Sequence, residues 1–340
     1  MRTHPSARAL FALSMSCQLG FAETPSYLGQ GLPGKEPALF APGLINTGLG
    51  TRDITLLPDG SEIYVGIFLP GFRKAMIIKS HWEDGRWTSP EVAPFSRDPR
   101  WRCLEPCISP DGRRFFFVSD RPAAPGTEKP GPFGIWVMER EGRGWSEARR
   151  LPESVNGTGN AFYPSLTREG ALHFLKEEGQ GGWLLRSTWK DGAWTPAEKL
   201  PAPFNANAKQ ANPRVDPDGR FILVPLMGRP DSLGGADYYA YFRREDGSWT
   251  EPVHLGAGVN STAADEFSIN LSPDGQVVFF GSDRALPRLD GRPLRWSEVL
   301  AERTQGGNGQ TSLWWVKADF LWELRAKALA APRKQEPSKK

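Results

Sequence analysis

Side chains that commonly carry chemistry are scarce in this sequence. Its 340 residues include four His and three Cys. Beyond the first residues the histidines are His81, His173 and His254, far apart in the chain and in unrelated contexts. They suggest neither a nucleophile–base–acid triad nor a three-His metal site. Gly-x-Ser-x-Gly is absent, and no second domain is available to house a hydrolase. A one-sided charge is also lacking: 42 basic against 39 acidic residues give a net charge of +3, which argues against a nucleic-acid-binding surface. The cysteines are few and badly placed for bonding. Cys103 and Cys107, four residues apart on one straight strand, would stand about 13 Å apart, out of disulfide reach. A bond would require Cys103 to fold back in the loop before the strand. With no other His or Cys nearby, no metal site is expected from the pair.

Turn formers and aromatics are what the chain does have, with 37 Gly, 31 Pro, 19 Phe and 13 Trp. Such a composition favours many turns and few helices. The N-terminus reads as an export signal: Arg2 and Arg8 precede a short apolar stretch, 9–16, and Gly20-Phe21-Ala22 offers a small-x-small cleavage site. That stretch is too short to span a bilayer. Cys17 raises lipidation as an alternative, but the residues before it lack the Leu of a typical lipobox. The expected organisation is a signal peptide over 1–22, a linker over 23–36, one domain over 37–329 and a disordered basic tail over 330–340.

A repeat organises that domain. Acidic-Gly turns recur at Asp59-Gly60, Asp111-Gly112, Glu169-Gly170, Asp218-Gly219 and Asp274-Gly275, and four of the five follow a Pro. Pro presets φ and Gly supplies a positive φ, so each is a hairpin signal. A β-prone run follows every turn: 61–68, 113–120, 171–178, 220–227 and 276–283. Farther on, a second acidic-Gly turn precedes Trp87, Trp145, Trp194 and Trp249, which are expected to pack between neighbouring units. An outer strand with a polar cap comes next, ending at Ser96, Asn156, Asn205 and Asn260. A further copy, 37–46 ending at Asn46, precedes the first unit, whereas the last unit ends at 312–320 in a helical pattern (321–329) with no outer strand of its own. The spare N-terminal strand therefore completes the last unit. The prediction is an all-β chain: a single β-propeller of five four-stranded blades closed by an N-terminal outer strand. A sixth blade would need three strands from residues 1–36, which are too few.

The segments ISPDGRRFFFVSDR (108–121) and LSPDGQVVFFGSDR (271–284) resemble the Pro-Asp-Gly repeats of TolB-type periplasmic propellers, themselves distantly similar to WD-repeat blades. The resemblance covers roughly 37–325. It implies a propeller fold, a periplasmic or other extracytoplasmic location and a binding role. TolB's six blades and extra N-terminal domain are not matched, so its specific partners do not carry over.

In a propeller the Pro-Asp-Gly turns and Trp hairpins share one face, and the long connections 122–132, 228–237 and 285–310 share the other. Long loops on a rigid scaffold are where function concentrates. On that face the residue six before each turn is Asp53, Glu105, Tyr163, Asn212 or Ser268, with Asp265 and Glu266 just before the last. A polar ring at the channel mouth is expected from them. The leading expectation is a non-enzymatic scaffold that binds a protein, polar ligand or glycan on the long-loop face. The alternative is a glycoside hydrolase using Asp53 and Glu105, with Asp265 or Glu266 as a third carboxylate. The acidic-Gly-x-Trp turns resemble the Asp-box turns of sialidases but lack the Ser/Thr-x-Asp spacing. No cofactor is required, though a calcium-stabilised ring is conceivable from the carboxylates. Asp120-Arg121 and Asp283-Arg284 are expected to form blade-to-blade ion pairs.

Overall fold

A computed structural model describes residues 27–332, except 125, 180, 207–208, 264, 290 and 292. The expected signal peptide, Cys17 and residues 333–340 of the tail lie outside the described residues.

Five antiparallel sheets follow one another along the chain and form a five-bladed propeller. Blade 1 runs through Gly50–Leu56, Glu62–Phe68, Ala75–Glu83 and Glu91–Val92. Blade 2 uses Cys103–Ile108, Arg114–Ser119, Gly134–Glu141 and Arg149–Arg150. Blade 3 uses Ala161–Leu166, Ala171–Glu178, Gly181–Lys190 and Glu198–Lys199. In blade 4 the strands are Arg214–Val215, Phe221–Met227, Ala236–Phe242 and Val253–His254. Blade 5 has Ile269–Leu271, Val277–Ser282 and Ser312–Lys317, and its outer strand is the N-terminal Ala38–Leu39, paired Ala38 to Trp315. Closure by the N-terminal strand is thus as expected.

The outer strands pair over only two residues each, shorter than the sequence suggests. What holds them is a side chain. Asn156 Oδ1 accepts from Ile135 N at 2.7 Å while its Nδ2 donates to Ile135 O and Leu151 O. Asn205 treats Leu184 in the same way, Asn260 treats Tyr238, and Asn46 treats Leu313. Ser96 accepts from Ile77 N in blade 1. Each amide replaces the backbone pairing that the outer strand would otherwise supply.

The core lies between blades. Tyr64, Ile77, Phe115, Phe117 and Trp136 fill the space between blades 1 and 2. Phe40, Ile54, Val65, Phe279 and Trp315 fill that between blades 5 and 1. The hairpin tryptophans occupy these layers as expected: Trp145 Nε1 donates to Tyr64 OH in blade 1, Trp194 packs on Phe116 in blade 2, and Trp249 packs on Phe204 after blade 3. Trp87 packs against the layer between blades 5 and 1.

Two expectations need correction. Arg121 does not pair with Asp120, nor Arg284 with Asp283. Each arginine instead donates to the Ser two residues back and to a carbonyl of the preceding blade, Phe95 O or Val259 O. It also lies over an aromatic pair, Phe117 and Trp136 or Phe280 and Trp314. Asp120 pairs with Arg102 of its own blade at 2.8 Å. Alternation along an extended chain sends neighbouring side chains to opposite faces, which separates Asp from Arg. The other correction concerns 23–36. Tyr27 is buried, donates to Asp274 at 2.6 Å and packs on Trp315, and Lys317 N donates to Gly34 O. Part of the expected linker, at Tyr27 and Gly34, is thus held against blade 5, while Leu32 stands exposed.

A helix, Asp319–Ala330, follows blade 5, where the spacing predicted one, and lies across the tight-turn face with Trp322 against Phe221 of blade 4. No described helix is long and apolar enough to cross a membrane.

Candidate functional site: the channel ring and its surroundings

The five residues counted off before the turns do meet in the structure. Asp53, Glu105, Tyr163, Asn212 and Ser268 all adopt a positive φ, between 33 and 70°. In blades 1 to 3 the register with the second strand slips at this place, the mark of a bulge. A side chain at such a φ is strained, so the surroundings must hold it there.

Hydrogen bonds do so from blade to blade. Asn212 Nδ2 donates to Ser268 Oγ at 3.2 Å, and Ser268 Oγ donates to the Asp53 carboxylate. Glu105 N–H donates to Asp53. Tyr163 N donates to Glu105 Oε2 at 2.6 Å, and the Tyr163 hydroxyl crosses the channel to Ile269 O in blade 5. A second tier, two residues on, repeats the device. Thr55 Oγ1 accepts from Ile108 N, Ser165 Oγ accepts from Val215 N, Asn270 Nδ2 donates to Ile54 O, and Arg214 donates to Cys107 Sγ. Side chains therefore fill the channel.

The expected ring is real but not open: Asp53 and Glu105 are each only 3% exposed. Arg52, which the sequence reading missed, lies above them. It donates to Asp53 at 3.2 Å, stands 3.8 Å from Glu105 and covers Phe68. Burial first, and then the neighbouring Asp53 charge, push the Glu105 carboxyl up to about 8. Burial also raises Asp53, opposed by Arg52 and Ser268. Arg52 stands closer to Asp53 than to Glu105 and so opposes the rise at Asp53 the more directly.

The other two candidate carboxylates do not join the ring. Glu266 is fully buried against Arg284 at 3.0 Å and accepts from Ser261 and Ser282. Asp265 is exposed and its N–H donates to Asp283. Cys103 and Cys107 are buried free thiols. Among the described residues no cluster of three or more His, Cys, Asp or Glu could hold a metal ion. His81 bonds Thr88, and His254 pairs with the buried Asp237 at 2.8 Å.

Two further features surround the ring. On the long-loop face the 285–310 insertion contains the short helix Trp296–Glu302, braced by an Arg288–Glu302 ion pair at 3.1 Å. There Trp296 is 73% exposed, Leu294 65% and Leu300 44%. On the opposite, tight-turn side a cleft of about 1220 Å³ opens between blades 3 and 4, beside the end of the Asp319–Ala330 helix.

No family model matches the chain, and no curated protein does. Solved structures that it resembles include TolB from Acinetobacter baumannii (TM-score 0.45, 18% identity, 79% of this chain and 54% of TolB). This chain thus spans about half the length of that protein. An arabinanase from Bacillus subtilis aligns at TM-score 0.48 and 12% identity over 80% of this chain and 95% of the enzyme. An α-L-arabinofuranosidase from Podospora anserina, solved with cellotriose, aligns at 0.47 and 11% over 84% and 98%. None of these three scores reaches 0.5, so they carry no inference about activity, ligand or partner.

Proposed function

We propose that this chain is an exported, non-enzymatic binding propeller that engages a protein partner through its long-loop face. One contrast carries the reading: the channel is filled by its own side chains, whereas Leu294, Trp296 and Leu300 stand exposed on a braced insertion. Exposed large apolar residues gathered on one short insertion of a propeller mark a candidate interaction surface. The envelope location rests on the signal-like N-terminus and on the TolB-type character of the Pro-Asp-Gly repeats. The test is crosslinking capture from envelope extracts with the mature chain and with a Trp296→Asp/Leu300→Asp variant. A protein held by the first and lost by the second supports the reading. The same proteins held equally by both overturn it.

A glycoside hydrolase is the second reading, and one observation favours it. A buried carboxyl pushed up to about 8, Glu105, adjoins a second carboxyl, Asp53, that Arg52 holds lower, the pattern of an acid beside a base. Glycan turnover by the wild type, lost on Glu105→Gln, would establish it. No turnover on a broad glycan panel would remove it.

A further inference from the structure

One position of the repeat is packed differently in blade 1. The residue before the cap of each outer segment is Ile45, Phe95, Val155, Phe204 or Val259. Four of these are at most 2% exposed, but Phe95 is only partly buried. Its segment ends in a short 3-10 turn, Pro94–Ser96, and its ring stands 5.1 and 5.0 Å from those of Phe115 and Phe117 in blade 2. Beside it a cavity of about 510 Å³ opens on the flank between blades 1 and 2. That volume falls within the roughly 300–1,000 Å³ of small-molecule sites.

The walls are held in place by their own contacts, and they offer apolar surface. Trp145 Nε1 donates to the Tyr64 hydroxyl at 2.9 Å. Arg140, paired with Glu62 at 2.7 Å, lies 4.8 Å over the Trp145 ring. Phe95, Trp145 and Ala148 are each partly buried and Pro94 is exposed, so aromatic and aliphatic carbon stays open to a ligand.

The charge is one-sided. Lys79, Arg121 and Arg143 line the cavity against a single carboxylate, Glu147. Lys79 stands 3.5 Å from Glu91, which is outside the lining. Neither Arg121 nor Arg143 has an ion-pair partner among the described residues. Asp98 senses the Arg121 charge but bonds Arg100 at 2.7 Å. Arg121 uses Nε and Nη2 to hold Ser119, Phe95 O and Cys103 Sγ, which leaves Nη1 free to donate. A flat apolar body with one anionic group matches both halves of this lining: ring against ring, and carboxylate to guanidinium. A cationic ligand would meet three like charges.

We infer that this cavity binds a small aromatic carboxylic acid, its ring against Phe95 and Trp145 and its carboxylate on Arg121 and Arg143. The site lies on the flank of the propeller and depends neither on the long-loop insertion nor on the channel carboxyls.

The test is equilibrium dialysis of the full chain against naphthalene-2-carboxylate, with naphthalene-2-carboxamide as the uncharged control. The expected result is one acid bound per chain, with the amide weaker by about tenfold or more. Arg143→Glu weakens the acid by about tenfold or more, and Ala148→Trp, which fills the cavity, abolishes binding. Trp296→Asp and Arg244→Ser, both outside this cavity, leave the affinity unchanged. Equal affinity for acid and amide overturns the inference, as does wild-type affinity in Arg143→Glu or lost binding in Arg244→Ser. No binding of the acid overturns the assigned ligand class. If Ala148→Trp fails to fold, Arg143→Glu, at an exposed position, decides.

Discussion

At five equivalent places the backbone adopts a φ that favours glycine, yet the residue there is Asp, Glu, Tyr, Asn or Ser. The side chain is needed because it bonds to another blade, and these contacts offset the strain. Glu105 makes this measurable. Its folded carboxyl titrates near 8, above the ordinary value of about 4.3 in an unfolded chain. Between those values the unfolded state has lost the proton that the folded state keeps, so this group's contribution is full below about 4 and falls as pH rises toward 8. Glu105→Gln keeps an acceptor for Tyr163 N but cannot ionise. The expected outcome is a variant whose stability relative to wild type rises from pH 5 to pH 8, read by urea unfolding at each pH. A constant difference would place the proton elsewhere. The positions of these residues were legible because turn spacing fixes them. Their closure of the channel was not, since it depends on Arg52 and on the Tyr163 hydroxyl reaching across the ring to Ile269 O.

Within an element, the Ser-Asp-Arg ending of the second strand does the work of a rivet between blades. Arg284 gives its hydrogen bonds to Val259 O, Ser282 and Glu266. Glu266 is fully buried, so Arg284→Ala strands its charge and is expected to cost about 3–5 kcal/mol. Adding Glu266→Gln should return part of the loss, and a double-mutant cycle from denaturant melts measures how much. Additive losses would show that the two do not act together. Blade 3 solves the same problem differently. Lys176, at the position equivalent to Ser119, donates to Asn156 O and Gly159 O. The sequence showed that the motif mattered and misassigned its bonds, because an Asp-Arg dipeptide looks like an ion pair until strand alternation is considered. The asparagine caps were read correctly in kind. That they stand in for most of the outer strand was hidden, because side-chain pairing leaves no alternating pattern to recognise.

At the scale of the molecule, the fold was almost fully legible: five turn landmarks and one orphan outer strand fix both blade number and closure. The site was less so: the cleft of about 1220 Å³ lies on the tight-turn side, away from the long loops that the turn spacing singles out. A cleft arises from how many side chains pack together, and no single residue type in the repeat announces it before its neighbours are placed. Closure itself can be tested at Phe40, which is fully buried against Phe279 and Trp315. Phe40→Ala is expected to cost about 3–5 kcal/mol. Hydrogen exchange should quicken first along Ser312–Lys317, the strand that Ala38–Leu39 covers. Uniform acceleration across all blades would mean that the ring opens as a unit.

The paired strands of blade 5 also set an order on synthesis. Ala38–Leu39 leaves the ribosome among the first described residues, and its partner Ser312–Lys317 among the last. Four blades can form behind it, but the ring stays an open arc with Phe40 and the flank of blade 1 uncovered until nearly the whole chain has emerged. A nascent protein of this shape therefore keeps one sheet edge and one apolar flank open through most of its synthesis, and closes only once Ser312–Lys317 is released.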